Sequence, residues 1–166
     1  MPPMKLSLVL LALVWPGGGP AAAEESAPTV ALAGLDGQKA VLTLPELDSL
    51  PRVTINATQH GASHEFEGAL LGDVLAQVGA PAGKAIRGQE LAGVIVIEAR
   101  DGYKVALDLA GTDPVMRAGE RVILADHMDG KPLDANAGPF QLIVEGDLRP
   151  ARAVRMVSVI RLERVR

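Results

Sequence analysis

Two histidines spaced four residues apart, His60 and His64, are the first side chains in this sequence whose types and spacing could do chemistry. On a helix this spacing places two imidazoles on one face, where they could bind a metal ion. Gly61 interrupts the segment and β-branched residues precede it, so we prefer a polar surface loop to a metal site. In such a loop His60 could contact an anionic ligand, because imidazole titrates near neutral pH.

A second polar group is formed by Asp126, His127 and Asp129. The pair Asp129-Gly130 is typical of a turn with positive φ, and an aspartate such as Asp126 can hydrogen-bond the local backbone. We therefore expect both aspartates to serve a turn rather than to bind a metal. This interpretation leaves His127 without a role.

Three arginines, Arg149, Arg152 and Arg155, lie close together near the C-terminus. A guanidinium group binds a carboxylate or phosphate through two parallel hydrogen bonds, so the three could together hold a small anionic ligand. The alternative is solvated charge along a final strand, because further arginines continue the pattern to the end of the chain. The two interpretations have nearly equal weight.

The composition disfavours several other kinds of site. The chain has no cysteine, which rules out a thiol nucleophile, a thiolate ligand and a disulfide. Its net charge of −4 disfavours nucleic acid, because binding to phosphates requires a basic surface. No Ser-His-Asp order, glycine-rich phosphate loop or Cys/His cluster is present. The sequence therefore predicts neither a catalytic residue nor a metal ligand.

The first residues have the pattern of a secretory signal peptide. Lys5 precedes an apolar run, Leu6–Trp15, and Ala21-Ala22-Ala23 offers a cleavage site. The apolar run is about half the roughly 20 residues that a membrane-spanning helix needs, so no stable membrane anchor is expected after cleavage. We expect cleavage after Ala23, a periplasmic or secreted protein, and a single domain over residues 24–166.

Most of the elements that must position the polar residues are predicted to be strands. Apolar β-forming runs predict strands at 29–33, 41–44, 52–56, 94–99, 103–109, 121–125, 140–145 and 153–162. Residues 59–68 could be the far arm of a hairpin or an exposed loop. A helix is predicted for Ala69–Val78, with shorter ones near 44–47 and 108–114. This pattern predicts an α+β fold with mixed or antiparallel sheets and a few short helices.

Five segments follow one another in a recognisable order. They are F-E-G-A-L-L-G-D-V-L-A-Q-V-G (Phe66–Gly79), A-R-D-G-Y-K-V-A-L (Ala99–Leu107), V-I-L-A-D-H-M-D-G-K-P-L (Val122–Leu133), A-G-P-F-Q-L-I-V-E-G (Ala137–Gly146) and A-V-R-M-V-S-V-I-R-L (Ala153–Leu162). In this order and spacing they resemble the molybdopterin-binding domain of sulfite-oxidase-type oxidoreductases.

The resemblance implies a sulfite-oxidase-like α+β fold, with a mixed sheet beside a second, barrel-like sheet and a pocket for molybdopterin shaped by several of these loops. In that family a cysteine on an early strand ligates molybdenum. Its place falls near Asn56 or Ala57, and neither residue supplies a thiolate. Arg155 lies where the family keeps a basic residue near its cofactor.

We therefore expect an exported, non-catalytic protein with a molybdopterin-binding-type fold that binds a small anionic ligand or a partner protein and needs no cofactor. The candidate contacts are Asn56, His60, Arg149, Arg152 and Arg155. One alternative is a molybdopterin-dependent oxidoreductase that lacks the protein thiolate. Another is a structural or assembly factor without a small-molecule ligand.

Overall fold

Ten strands and three short α-helices make up residues 27–165, the part of the chain that the computed structural model describes. The expected signal peptide and its cleavage site lie outside these residues. The strands are β1 (Thr29–Ala33), β2 (Lys39–Thr43), β3 (Arg52–Gln59), β4 (Ala62–Leu70), β5 (Gly93–Ala99), β6 (Lys104–Asp108), β7 (Val122–Met128), β8 (Lys131–Pro132), β9 (Gln141–Val144) and β10 (Val157–Arg164). The helices are α1 (Leu44–Asp48), α2 (Leu71–Ala76) and α3 (Leu109–Thr112), and short 3₁₀ helices span Gly83–Ala85, Gly88–Ala92 and Pro150–Arg152.

The strands form two sheets. One has the order β2-β1-β10-β5-β6, in which β1 and β10 run parallel and the other neighbours antiparallel. The other has the order β3-β4-β7-β8, with β9 also pairing with β7, and is antiparallel throughout. Mixed and antiparallel sheets with few helices confirm the predicted α+β class.

The main core lies between the two sheets. Aliphatic residues of both sheets meet there with the buried face of α2, which presents Leu71, Val74 and Leu75. A smaller cluster lies on the other face of the second sheet and contains Ile55, Phe66, Ile123, Ala125 and Ile143. The second sheet is therefore apolar on both faces, and the smaller cluster forms the base of the candidate site described below.

Local chemistry accounts for the start of α1. Thr43 accepts a hydrogen bond from the Glu46 backbone, and the Glu46 carboxylate accepts one from the Thr43 backbone at 2.7 Å. This reciprocal capping box satisfies two donors that the first turn of a helix leaves unpaired. Pro45 lies in the first turn, where proline costs no hydrogen bond.

The helix predicted for Ala69–Val78 is shorter than the spacing of its apolar residues indicated, since α2 spans Leu71–Ala76. Ala69 and Leu70 pair with β7 and end strand β4, and α2 begins only at Leu71. Gly68 explains why the strand reaches this far: a Cβ atom there would overlap the backbone of Leu124 and Ala125. The first glycine of the Phe66–Gly79 segment therefore permits close packing of two strands.

Two further predictions need correction. Asp126 does not serve a turn, because it lies within β7, where its side chain is buried. The last strand begins at Val157 rather than Ala153, since Met156 has a positive φ of 49° and residues 150–152 form a 3₁₀ turn. The turn at Asp129-Gly130 is confirmed, with φ values of 51° and 73°.

For residues 59–68 the sequence allowed either a hairpin arm or an exposed loop. The structure shows that they are mostly strand. They form the turn and most of β4, which pairs antiparallel with β3 along its length. No helix among residues 27–165 is long and apolar enough to cross a membrane.

Candidate functional site

The β3–β4 hairpin places the two histidines on strand and turn backbone rather than on a helix. His60 and Gly61 form the two-residue turn, with φ values of 51° and 82°, as in a type I′ hairpin. His64 lies on β4, opposite Ala57 of β3. The helical spacing that suggested a shared metal ion is therefore not realised. Residues 27–165 contain no group of three histidine, cysteine or acidic side chains arranged to hold a metal.

His60 instead contacts Arg155, which lies 95 positions away along the chain. A guanidinium nitrogen of Arg155 donates to Nε2 of His60 at 3.0 Å. Because arginine can only donate, Nε2 of His60 is the acceptor in this contact. No carboxylate pairs with Arg155 within the described part of the chain. Most of its donor capacity is thus available to a ligand.

A cavity of about 210 Å³ lies beside this contact. It is enclosed by the hairpin end, the end of β7, the segment after β8 and the residue before Met156. Its lining residues are Gln59, His60, His64, Met128, Asp134, Asn136, Ala137, Gln141 and Arg155. The cavity therefore combines cationic or titratable groups with amides.

Gln141 lines this cavity, and its amide has no hydrogen-bond partner within the described chain. The residue is 1% exposed, and neither its Oε1 nor its Nε2 is hydrogen-bonded within the described chain. Gln59 is 8% exposed, and its Nε2 is also unpaired. Sequence analysis missed both glutamines. The available signal was Gln141 as the lone polar residue in the apolar run Phe140–Val144.

The acidic residues nearest the cavity are already engaged. Asp129 accepts a hydrogen bond from His64 Nδ1 at 2.7 Å and another from the Glu65 backbone at 3.0 Å. The hydrogen bond from His64 is the main cause that holds the pKa of Asp129 below its ordinary value. Asp134 accepts from the backbone nitrogens of Asn136 and Ala137 at 2.9 and 3.0 Å. Both carboxylates thus have donors of their own, independent of Arg155.

The other predicted contacts are not brought to this cavity. Arg152 forms a two-point ion pair with Asp147, and this hydrogen bond raises the pKa of Arg152. Arg149 is exposed on the loop that precedes it. Asn56 is exposed on β3 and lies on the opposite face from Ala57, because neighbouring residues of a strand alternate. Of the five predicted contacts, the structure brings together His60 and Arg155.

Arg52 and Asp126 form a separate ionic cluster on the second sheet. Two nitrogens of Arg52 approach the Asp126 carboxylate at 2.6 and 3.3 Å, and a third binds Glu67 at 3.0 Å. Burial acts to raise the pKa of Asp126, but hydrogen bonds led by that from Arg52 outweigh it, and the net pKa is lowered. His127 Nδ1 lies 3.1 Å from the same carboxylate. This arrangement joins β3, β4 and β7.

A larger depression of about 650 Å³ lies elsewhere, beside the end of β10. Its charged lining residues are Glu163 and Arg164. They pair with Arg161 at 3.0 Å and with Glu90 at 2.7 Å, respectively. Because these charges are already paired, this depression has fewer free charged groups for a ligand than the cavity at Arg155.

The residues present do not fit a molybdenum centre of the family type. The place of the family's metal-ligating cysteine falls near Asn56 or Ala57, and neither a carboxamide nor a methyl group supplies a thiolate. The crevice lined by Ala57 has a volume of about 10 Å³, roughly the space of a single water molecule. Asn56 is turned to the opposite face. We therefore derive no chemical step through this metal.

No protein-family model matches the chain, and no curated protein matches it. Among solved structures, the crystal structure of the sulfane dehydrogenase SoxCD from Paracoccus pantotrophus matches 82% of this chain with a TM-score of 0.59 and 18% sequence identity. The chain spans 38% of the length of that protein's chain. At this sequence identity the match shows a similar fold and does not show a shared activity. The protein has a distant sulfite-oxidase-like fold.

Proposed function

We propose that this protein is a non-catalytic binding protein whose cavity beside His60 and Arg155 holds a small anionic ligand. The observation that carries the proposal is Arg155, a guanidinium group at a cavity with no carboxylate partner in residues 27–165. An unpaired guanidinium binds carboxylate or phosphate through charge-assisted hydrogen bonds. His60 supports this role because it orients Arg155 without neutralising it.

The cavity limits the size of the ligand. Its volume of about 210 Å³ is below the ~300–1,000 Å³ that is typical of sites for drug-sized molecules. Asp129 and Asp134 lie nearby, but each already accepts two hydrogen bonds. The ligand that fits best is therefore a compact anion, such as a small carboxylate.

Titration of the purified protein with benzoate tests the proposal. We expect Arg155→Ala to weaken benzoate binding about tenfold or more, because the lost charge-assisted hydrogen bonds contribute about 1.5–3 kcal/mol. Arg152→Ala is the matched control, since that guanidinium is already bound by Asp147. Isothermal titration calorimetry measures both affinities.

Equal affinity in the wild type and Arg155→Ala would refute the site. A loss in Arg152→Ala as large as that in Arg155→Ala would indicate a nonspecific effect of positive charge and would also count against it. Thermal unfolding of each variant verifies that the cavity is still formed.

A molybdopterin-dependent oxidoreductase is the second candidate, and the fold likeness to sulfane dehydrogenase favours it. The absence of cysteine from the chain and the small space at Ala57 oppose it. Elemental analysis and pterin fluorescence of protein purified from its native host separate the two candidates. Stoichiometric molybdenum would overturn the proposed non-catalytic role.

Docking on a partner protein is a third candidate, and Leu148 favours it. This side chain is 94% exposed on the loop that also carries Arg149. If the loop binds a partner, Leu148→Asp should abolish capture of a partner that the wild type retains, while benzoate binding stays unchanged. A structural or assembly factor without a ligand would show partner capture and no benzoate binding.

A further inference from the structure

The carboxamide of Gln141 is the polar group of this cavity that an anion alone does not explain. It is 1% exposed, and both of its amide atoms lack partners. Gln141 begins β9 opposite Ala125 and shares a sheet face with Ile143. The strand pairing fixes its backbone, so the side chain is held at the cavity by a rigid element.

A buried amide without hydrogen bonds is rare in folded proteins, because its desolvation is not compensated. In a cavity, such a group is commonly satisfied by water or by a ligand. Gln59 adds a second unpaired donor, Nε2, from β3. Two residues that line the cavity, one on β3 and one on β9, thus carry buried amide atoms without partners.

The carboxamide of glutamine presents a carbonyl oxygen and an N–H group side by side. Its complement is a group that also presents an N–H and a carbonyl side by side, as a lactam or a cyclic imide does. Two parallel hydrogen bonds then form, and neither partner needs a charge. Met128 and Ala137, which also line the cavity, provide apolar contact for the rest of such a ring.

We propose that the ligand of this cavity is an anionic lactam or cyclic imide, which hydrogen-bonds Gln141 through its uncharged amide edge. This inference rests on the proposed function, because the anionic group of the same molecule faces Arg155. Gln59 donates a further hydrogen bond from Nε2. The proposal restricts the ligand from any small anion to one that carries this edge.

Three probes distinguish binding of the anionic group from binding of the amide edge. Orotate carries a carboxylate and a cyclic imide, benzoate carries the carboxylate alone, and uracil carries the imide alone. We expect orotate to bind the wild type about tenfold or more tightly than benzoate, because it adds two or three hydrogen bonds to buried groups. Isothermal titration calorimetry on the purified protein gives the three affinities.

Gln141→Leu is the diagnostic variant, because it keeps a side chain of similar size and removes the amide. It should bring the affinity for orotate down to that for benzoate. Gln77→Leu is the matched control at an exposed position beyond α2, and it should retain the wild-type preference. Thermal unfolding should show Gln141→Leu folded, because no intramolecular hydrogen bond is lost.

The outcomes distinguish this inference from the proposed function. If benzoate binds through Arg155 but orotate binds no more tightly, or if the preference survives in Gln141→Leu, the lactam proposal is wrong and the anion site stands. If uracil binds in a Gln141-dependent manner while benzoate does not bind, the amide subsite is supported and the anionic ligand is refuted. Absence of binding by all three probes overturns both.

Discussion

Paired and unpaired polar side chains lie in different places on and beside the second sheet. Arg52 meets the carboxylates of Asp126 and Glu67, and these three side chains tie neighbouring strands together. Gln141 and Arg155 meet no such partners among the described residues. A side chain whose hydrogen bonds are complete has little to offer a ligand, and the proposed site is therefore placed at the unpaired groups.

Removing Arg52 should destabilise the fold strongly. Its partner Asp126 is 3% exposed, and loss of one member of a buried ion pair costs about 3–5 kcal/mol, because the remaining charge is left unpaired. We expect Arg52→Ala to lower the free energy of unfolding by about 3 kcal/mol. Arg121→Ala, which breaks the more exposed pair with Glu145, should cost about 1 kcal/mol or less. Urea unfolding of both variants measures the difference, and equal costs would contradict the structural role of Asp126.

The same pair predicts a dependence of stability on acid pH. The pKa of Asp126 is lowered in the folded protein, so the ionised pair stabilises the fold above the unfolded-state pKa of about 3.9. This contribution is lost as the pH falls through the lower folded-state pKa. The difference in unfolding free energy between the wild type and Asp126→Asn should therefore shrink as the pH falls below about 4. A difference that stays constant over this range would contradict the assignment.

The β3–β4 hairpin is the element that carries both His60 and His64 to the cavity. Its turn requires a positive φ at two successive residues, and Gly61 supplies the second at 82°. The turn also positions Gln59, the last residue of β3. Changes to this turn should therefore affect the cavity as well as stability.

A matched pair of glycine substitutions tests the turn. Space is open around both Gly61 and Gly72, so only backbone conformation separates them. Gly61→Ala should cost about 1–2 kcal/mol, because an L-residue is strained at positive φ. Gly72→Ala lies in α2 and should be neutral or stabilising by up to about 1 kcal/mol, since alanine favours a helix. Thermal unfolding compares them, and equal effects would refute the strained turn.

Sequence separation explains which features could be predicted. The turn at Asp129-Gly130 was predicted correctly, because its chemistry is contained in two residues. The partner of Asp126 lies 74 positions away, and the partner of Arg155 lies 95 away. Nothing in the local sequence indicates either contact. Arg152 differs because its partner Asp147 is five residues away, yet the sequence could not distinguish that pair from a free cation.

The molecule as a whole has a sulfite-oxidase-like framework. Several segments that resemble the sulfite-oxidase family lie at framework positions, such as Gly68 between β4 and β7. The fold likeness to sulfane dehydrogenase covers 82% of this chain and 38% of that one. The fold could thus be predicted from the ordered segments. The lining of the cavity could not, because it comes from four separate parts of the chain.

The predicted export of the molecule can be tested at its N-terminus. If the expected signal peptide is cleaved after Ala23, intact-mass analysis of the protein recovered from the periplasm or medium of a host should show a chain that begins at Glu24. Ala23→Arg should block processing, because cleavage requires a small residue at this position. Recovery of the full-length chain from the wild type would contradict the assignment.

The central claim is that a small anion binds at the cavity beside Arg155, and mapping of that site by NMR tests it most directly. Benzoate is titrated into ¹⁵N-labelled protein while backbone and side-chain amide signals are followed. The account predicts saturable shifts that centre on His60, Arg155 and the side-chain amide of Gln141. Shifts that centre instead on the depression at Leu35, Gln89 and Leu162, or no saturable shifts at all, would contradict it.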